Sequence, residues 1–144
     1  MPLPAPFGYA WGFAQLSDEI LQDASVLYIW VTPEESRRKN DERAKPGRDG
    51  DASILNHGVP IRVMLGDYGC DDIEWLLKQS DRPDTVRIET RGKVFHLPLA
   101  RFDNRKDLTT FVRKDRTEWS ESEVTALHAG LKDAFEHLLG ARKQ

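Results

Sequence analysis

Ser25-Val26-Leu27-Tyr28-Ile29-Trp30-Val31, followed at once by Thr32-Pro33-Glu34-Glu35-Ser36-Arg37-Arg38-Lys39-Asn40-Asp41-Glu42-Arg43-Ala44, is the stretch that decides the fold. Its first half is a nearly unbroken apolar run rich in β-branched and aromatic side chains. Such runs predict a strand covered on both faces, as in a parallel sheet between helices. The second half predicts a helix. Thr32 suits the N-cap, Pro33 the first helical position, and Glu35 lies three residues past the cap, where it can close a capping box. Between Thr32 and Gly50 there is no Val, Ile, Leu, Met, Phe, Tyr or Trp. A helix that is polar all round projects into solvent or handles a charged ligand. Arg37, Arg38, Lys39, Arg43, Lys45 and Arg48 crowd its second half and the loop beyond, which points toward phosphate. Lys45 to Ala52 reads as a mobile loop from its Pro and Gly content.

Outward from this stretch the elements are less crowded with charge. Ser17-Asp18-Glu19 starts a helix with Ile20, Leu21 and Ala24 on its apolar side. Residues 53–64 predict short helical pieces, and Asp71 to Gln79 a helix with Ile73, Leu76 and Leu77 inward. Residues 85–90 and 93–99 alternate with period two around Arg91-Gly92, the pattern of a β-hairpin. Residues 101–118 are charged and irregular, anchored by Phe102, Leu108, Phe111 and Val112. Ser120 and Glu123 form a capping box ahead of Val124, Leu127, Leu131, Ala134, Phe135 and Leu138, an amphipathic terminal helix. The sum is an α/β chain: a core strand near the start, a β-hairpin and flanking helices.

Composition bounds the function. The chain has 144 residues, a formal net charge of −3 and 31% charged residues. One domain is the expectation, and a basic function must be local. A single cysteine, Cys70, leaves no intramolecular disulfide and no thiolate cluster for zinc. No stretch approaches the ~20 apolar residues of a membrane span. The amino terminus lacks the basic region and apolar core of a signal peptide, so a cytoplasmic location is expected.

A strand running into a Pro-Glu-Glu turn and an arginine-loaded helix resembles the distal half of P-loop kinases, where an Arg-rich lid closes over nucleotide phosphates. The matching residues are Val26 to Val31 for the strand and Thr32 to Asn40 for the turn and lid start, with Arg43 one turn on. The resemblance covers roughly residues 8 to 70. It implies a basic, lid-like segment at 34–52 with Arg37, Arg38, Asn40 and Arg43 as phosphate-binding candidates. It also implies ATP with magnesium as the cofactor of a full-length protein. The departure is as informative. Gly-x-x-x-x-Gly-Lys-Ser/Thr, whose backbone and lysine cradle the triphosphate, is missing from this chain. The expectation is therefore a carboxy-terminal part of a longer P-loop protein, not catalytic alone. The competing expectation is a non-enzymatic interaction or homodimerisation module, pairing through an exposed sheet edge or the terminal helix.

Each candidate has a plainer counterpart. Glu34 precedes Arg38 by four residues, Glu35 precedes Lys39 by four, and Arg38 precedes Glu42 by four. Those spacings make ordinary surface ion pairs worth ~0.2–0.5 kcal/mol each. Against this, Ser36, Asn40 and Arg43 share one helical face, and arginine suits bidentate phosphate contact. His57, His96, His128 and His137 lack ligand spacing. Asp67, Asp71, Asp72 and Glu74 could serve a metal or act as a base, but helix capping explains them more simply. The basic and aromatic residues between Arg101 and Arg116 are nearly cancelled by Asp103, Asp107, Asp115 and Glu118, so nucleic acid is not the expected partner.

Overall fold

The computed structural model describes residues 3–44, 58–66 and 70–142. Two compact units divide the chain: residues 1–30 with 71–144, and residues 31–70. Each is described by itself.

The larger unit is built on a three-stranded mixed sheet. Its strands are β1 (Val26–Trp30), β2 (Thr85–Thr90) and β3 (Lys93–Asp103), in the order β1-β3-β2. β2 and β3 form the expected hairpin, antiparallel from Thr85↔Pro98 to Thr90↔Lys93. Arg91 and Gly92 turn the chain with φ of 50° and 71°. Two successive positive φ values are what a two-residue loop of matching twist requires, and glycine accepts one freely. Arg91 then ties the turn down. Its guanidinium donates to the carbonyls of Ala14 at 2.9 Å and Leu16 at 2.7 Å, and to Asp18 at 2.8 Å. β3 continues past the predicted Leu99 and pairs in parallel with β1, from Val26↔Leu99 to Trp30↔Asp103.

β3 changes its covered face along its length. Phe95, Leu97 and Leu99 point into one cluster, with Val86 and Ile88 of β2, Leu21 of α2 (Asp18–Asp23), and Ile73 and Leu76 of α5 (Ile73–Gln79). α1 (Gly8–Ala14) adds Ala10, Phe13 and Ala14 to that cluster. Ala100 and Phe102 point the other way, against Leu127, Leu131, Ala134 and Leu138 of α6 (Glu121–Ala141). α6 carries the full capping box expected from Ser120 and Glu123. Two short 3₁₀ turns, Thr110–Arg113 and Arg116–Glu118, precede it.

One expectation is corrected here. β1 is not a buried core strand: it lies at one edge of the sheet, its residues are at most half-buried, and Ile29 is 55% exposed. Its apolar run has another cause. Val26 and Tyr28 pack against the first cluster and Leu27 against the second, so both parities need apolar side chains even though only one neighbour strand is present. The central strand is β3, flanked by β1 and β2 and covered on one face in each half. Val112, an expected anchor, is 44% exposed, whereas Phe102 and Phe111 are buried.

The smaller unit holds α3 (Pro33–Arg43) and α4 (Ile61–Gly66). Thr32 Oγ1 accepts from the Glu35 amide at 3.2 Å, so the predicted N-cap is present, while the Glu35 carboxylate is turned to Arg38 and Lys39. The expected mobile loop at 45–52 lies outside the described residues. No helix among the described residues is long and apolar enough to cross a membrane.

Candidate functional site

α3 is polar all round, as its sequence demands, yet it does bury one residue. Asn40 is 2% exposed. Its amide nitrogen donates to the Val59 carbonyl at 2.8 Å, and its amide oxygen accepts from the Val59 amide at 2.6 Å. Both halves of the side chain are engaged by the backbone of a distant segment, as a strand neighbour would engage them. Asn40 therefore pins residues 58–60 to the helix, and its amide is not directed at a ligand.

The arginines differ among themselves. Arg38 is held in a fork, its Nε donating to Glu35 at 2.8 Å and its Nη1 to Glu42 at 2.5 Å. Lys39 lies 3.6 Å from Glu35. Arg37 makes only a loose 3.5 Å pair with Glu34, whose side chain is 78% exposed. Arg43 is exposed on the last turn. At 100° per residue, Arg37 and Arg43 flank the buried Asn40 on either side of the helix. Lys45 and Arg48 lie outside the described residues.

In the larger unit a second polar surface forms where β1 and β3 end together, the side of a parallel pair at which α/β proteins bind ligands. The register places Tyr28 beside Arg101 and Trp30 beside Asp103. The Arg105 guanidinium lies 3.8 Å from the Trp30 ring centre and that of Arg101 4.8 Å. Arg101 also donates to Glu74 at 2.9 Å and Arg105 to Asp103 at 2.7 Å. The Arg105 hydrogen bond holds the Asp103 carboxyl down at about 2, and Arg101 lowers that of Glu74. Tyr28 donates its hydroxyl to Asp71 at 2.6 Å. Burial, then this bond to a carboxylate, push the Tyr28 phenol well above its ordinary value, so it stays protonated. Both guanidiniums are paired with carboxylates, and Lys78, 3.6 Å from Glu74, and Lys106, beside Asp103, add further positive charge.

The remaining candidates resolve into structural roles. Asp71 Oδ1 accepts from the Ile73 amide at 3.0 Å, the first amide of α5, while Asp72 at the N-cap position makes no capping bond to that helix. Asp72, 1% exposed, instead caps α1, accepting from the amides of Tyr9 at 2.6 Å and Ala10 at 3.3 Å. No cluster of His, Cys, Asp and Glu among the described residues could hold a metal ion. Asp67 and His57 lie outside those residues. His96 bonds Asp81 at 2.6 Å, and His137 bonds the Asp133 carbonyl at 2.8 Å, the contact that raises its pKa. Cys70 is exposed. A depression of about 130 Å³ is lined by Arg82, Thr85, His96 and Arg142 among others. Asp23, 3.8 Å from Arg142, and Asp81 on His96 offset its positive charge.

Sequence reasoning missed the Trp30–Arg101–Arg105 stack, because only the strand register brings those residues together. Comparison with protein-family models gives no match, and comparisons with curated proteins and with solved structures give none either.

Proposed function

We propose that this chain binds a phosphate-bearing ligand, such as a nucleotide, through α3, and does not transfer phosphate alone. It would be the lid-containing portion of a P-loop kinase-like protein, with ATP and magnesium engaged by a longer polypeptide. The supporting observation is that α3 sets a half-exposed, loosely paired Arg37 and an exposed Arg43 on either side of one buried residue, Asn40, with no apolar stripe. Arg38, forked between two carboxylates, stiffens the helix and contributes less to the ligand.

NMR titration with ATP or pyrophosphate tests this reading. The expected dissociation constant is millimolar, worth ~4 kcal/mol, because half a site lacks the phosphate loop and its lysine. Binding weakens as salt rises, since exposed charges are screened. Arg37→Ala with Arg43→Ala abolishes the shifts at unchanged stability, whereas Asn40→Ala destabilises the smaller unit by about 1–3 kcal/mol by orphaning Val59. Shifts that persist in the arginine double variant, or phosphate turnover by the chain alone, overturn the reading.

A further inference from the structure

α6 buries one stripe and leaves a second one open beside it. Leu127, Ala134 and Leu138 face the sheet, and Ala141 on the same side is buried. Val124, Phe135 and Leu139 stay 42%, 51% and 61% exposed. At 100° per residue these three, with His128, fall within a narrow arc next to the buried stripe, with half-buried Leu131 between the two. The arc runs the length of a 21-residue helix, about 31 Å at 1.5 Å per residue. Scattered exposed apolar residues are ordinary, but an aligned row on one long helix is a partner surface.

The charges at its ends say which partner. Glu121 opens the same arc and Arg142 closes it. The row is therefore complementary to itself when reversed. An axis between Leu131 and Lys132 sets Val124 opposite Leu139, His128 opposite Phe135 and Glu121 opposite Arg142, twice over. A parallel arrangement would instead set Glu121 against Glu121 and align the two helix dipoles unfavourably. Arg142 is free to turn, because its pair with Asp23 is 3.8 Å long and open to solvent at both ends. Lys132, near the axis, is already matched by Glu136 at 3.8 Å on the flank. We propose that two copies of this chain associate through antiparallel α6 helices, a two-fold contact with Phe135 and Leu139 as apolar anchors on either side of the axis and Glu121–Arg142 pairs at its ends.

Sedimentation velocity over a micromolar to submillimolar concentration series tests it on the whole chain. Wild type shifts from monomer to dimer across the series. Leu139→Asp and Phe135→Asp each weaken self-association by about thirtyfold or more, as loss of a buried apolar anchor does. Both positions are exposed in the monomer, and an unchanged far-UV circular dichroism spectrum shows that the variants fold. Glu121→Arg weakens association by about tenfold, since the symmetry introduces the repulsion at both ends. Glu121→Arg combined with Arg142→Glu restores it. A wild type that stays monomeric, apolar variants that still dimerise, or a charge swap no better than Glu121→Arg alone each overturn the proposal.

Discussion

Asp72→Ala is expected to lower the stability of the larger unit by about 3 kcal/mol, through the loss of charge-assisted hydrogen bonds. α1 has no cap of its own: Phe7 occupies the N-cap position and contributes no side-chain bond. The carboxylate of Asp72 replaces it from the far side of the chain, accepting from Tyr9, Ala10 and, at 3.4 Å, Leu3. Removing it orphans those donors in a place that is 1% exposed. It also removes the negative charge that complements the start of the helix. Asp72→Asn keeps one acceptor oxygen and is expected to lose about half as much. Urea denaturation followed by tryptophan fluorescence, with Trp11 inside α1, reads both variants. A loss below about 1 kcal/mol for Asp72→Ala would mean that water replaces the carboxylate.

The second large effect sits on the opposite face of the sheet. Phe102 is 2% exposed beneath α6, and Phe102→Ala is expected to cost about 3–5 kcal/mol. Gly130 explains how the ring fits. A Cβ at that position would lie 2.8 Å from Phe102 Cε2 and 3.3 Å from its Cδ2. Gly130→Ala therefore trades about 1 kcal/mol of helix propensity against an overpacking cost of about 1–3 kcal/mol. It is expected to destabilise wild type and to stabilise a Phe102→Leu background, where the ring is gone. A double-mutant cycle measures the coupling. Additive effects would show that the helix glides away from the ring instead of pressing on it.

The elements most legible in the sequence were those defined by their own neighbours. The Ser120–Glu123 capping box, the period-two hairpin around Arg91-Gly92 and the Thr32-Pro33 helix start all follow from residues within a few positions of one another. What escaped was pairwise information across long separations. β1 read as a buried core strand because its composition satisfies two clusters, while its place at the edge is decided by whether another strand lies on its outer side. Asn40 read as one more polar residue on a polar helix, because only the arrival of Val59 turns it inward. Asp72 read as a cap for the helix it begins and proved to cap one more than sixty residues away. For the site, the fork on Arg38 was visible in part from the i, i+4 spacing to Glu42, whereas the Arg105–Trp30 stack depends on a register that no local pattern encodes.

The two partners of β3 also impose an order of events. β2 is joined to it by two residues, Arg91 and Gly92, so that zipper closes over almost no chain. β1 must find Leu99 from Val26, across the whole intervening polypeptide including residues 31–70. Loop-closure entropy sets the second encounter well behind the first. The hairpin with α5 is then the expected nucleus, with β1 docking later onto a strand already formed. Substitutions in β2 should slow refolding, while those in β1 should mainly speed unfolding, a division that stopped-flow chevrons would display. The edge strand whose sequence looked most like a core is, by this reasoning, expected to join the sheet after the hairpin has closed.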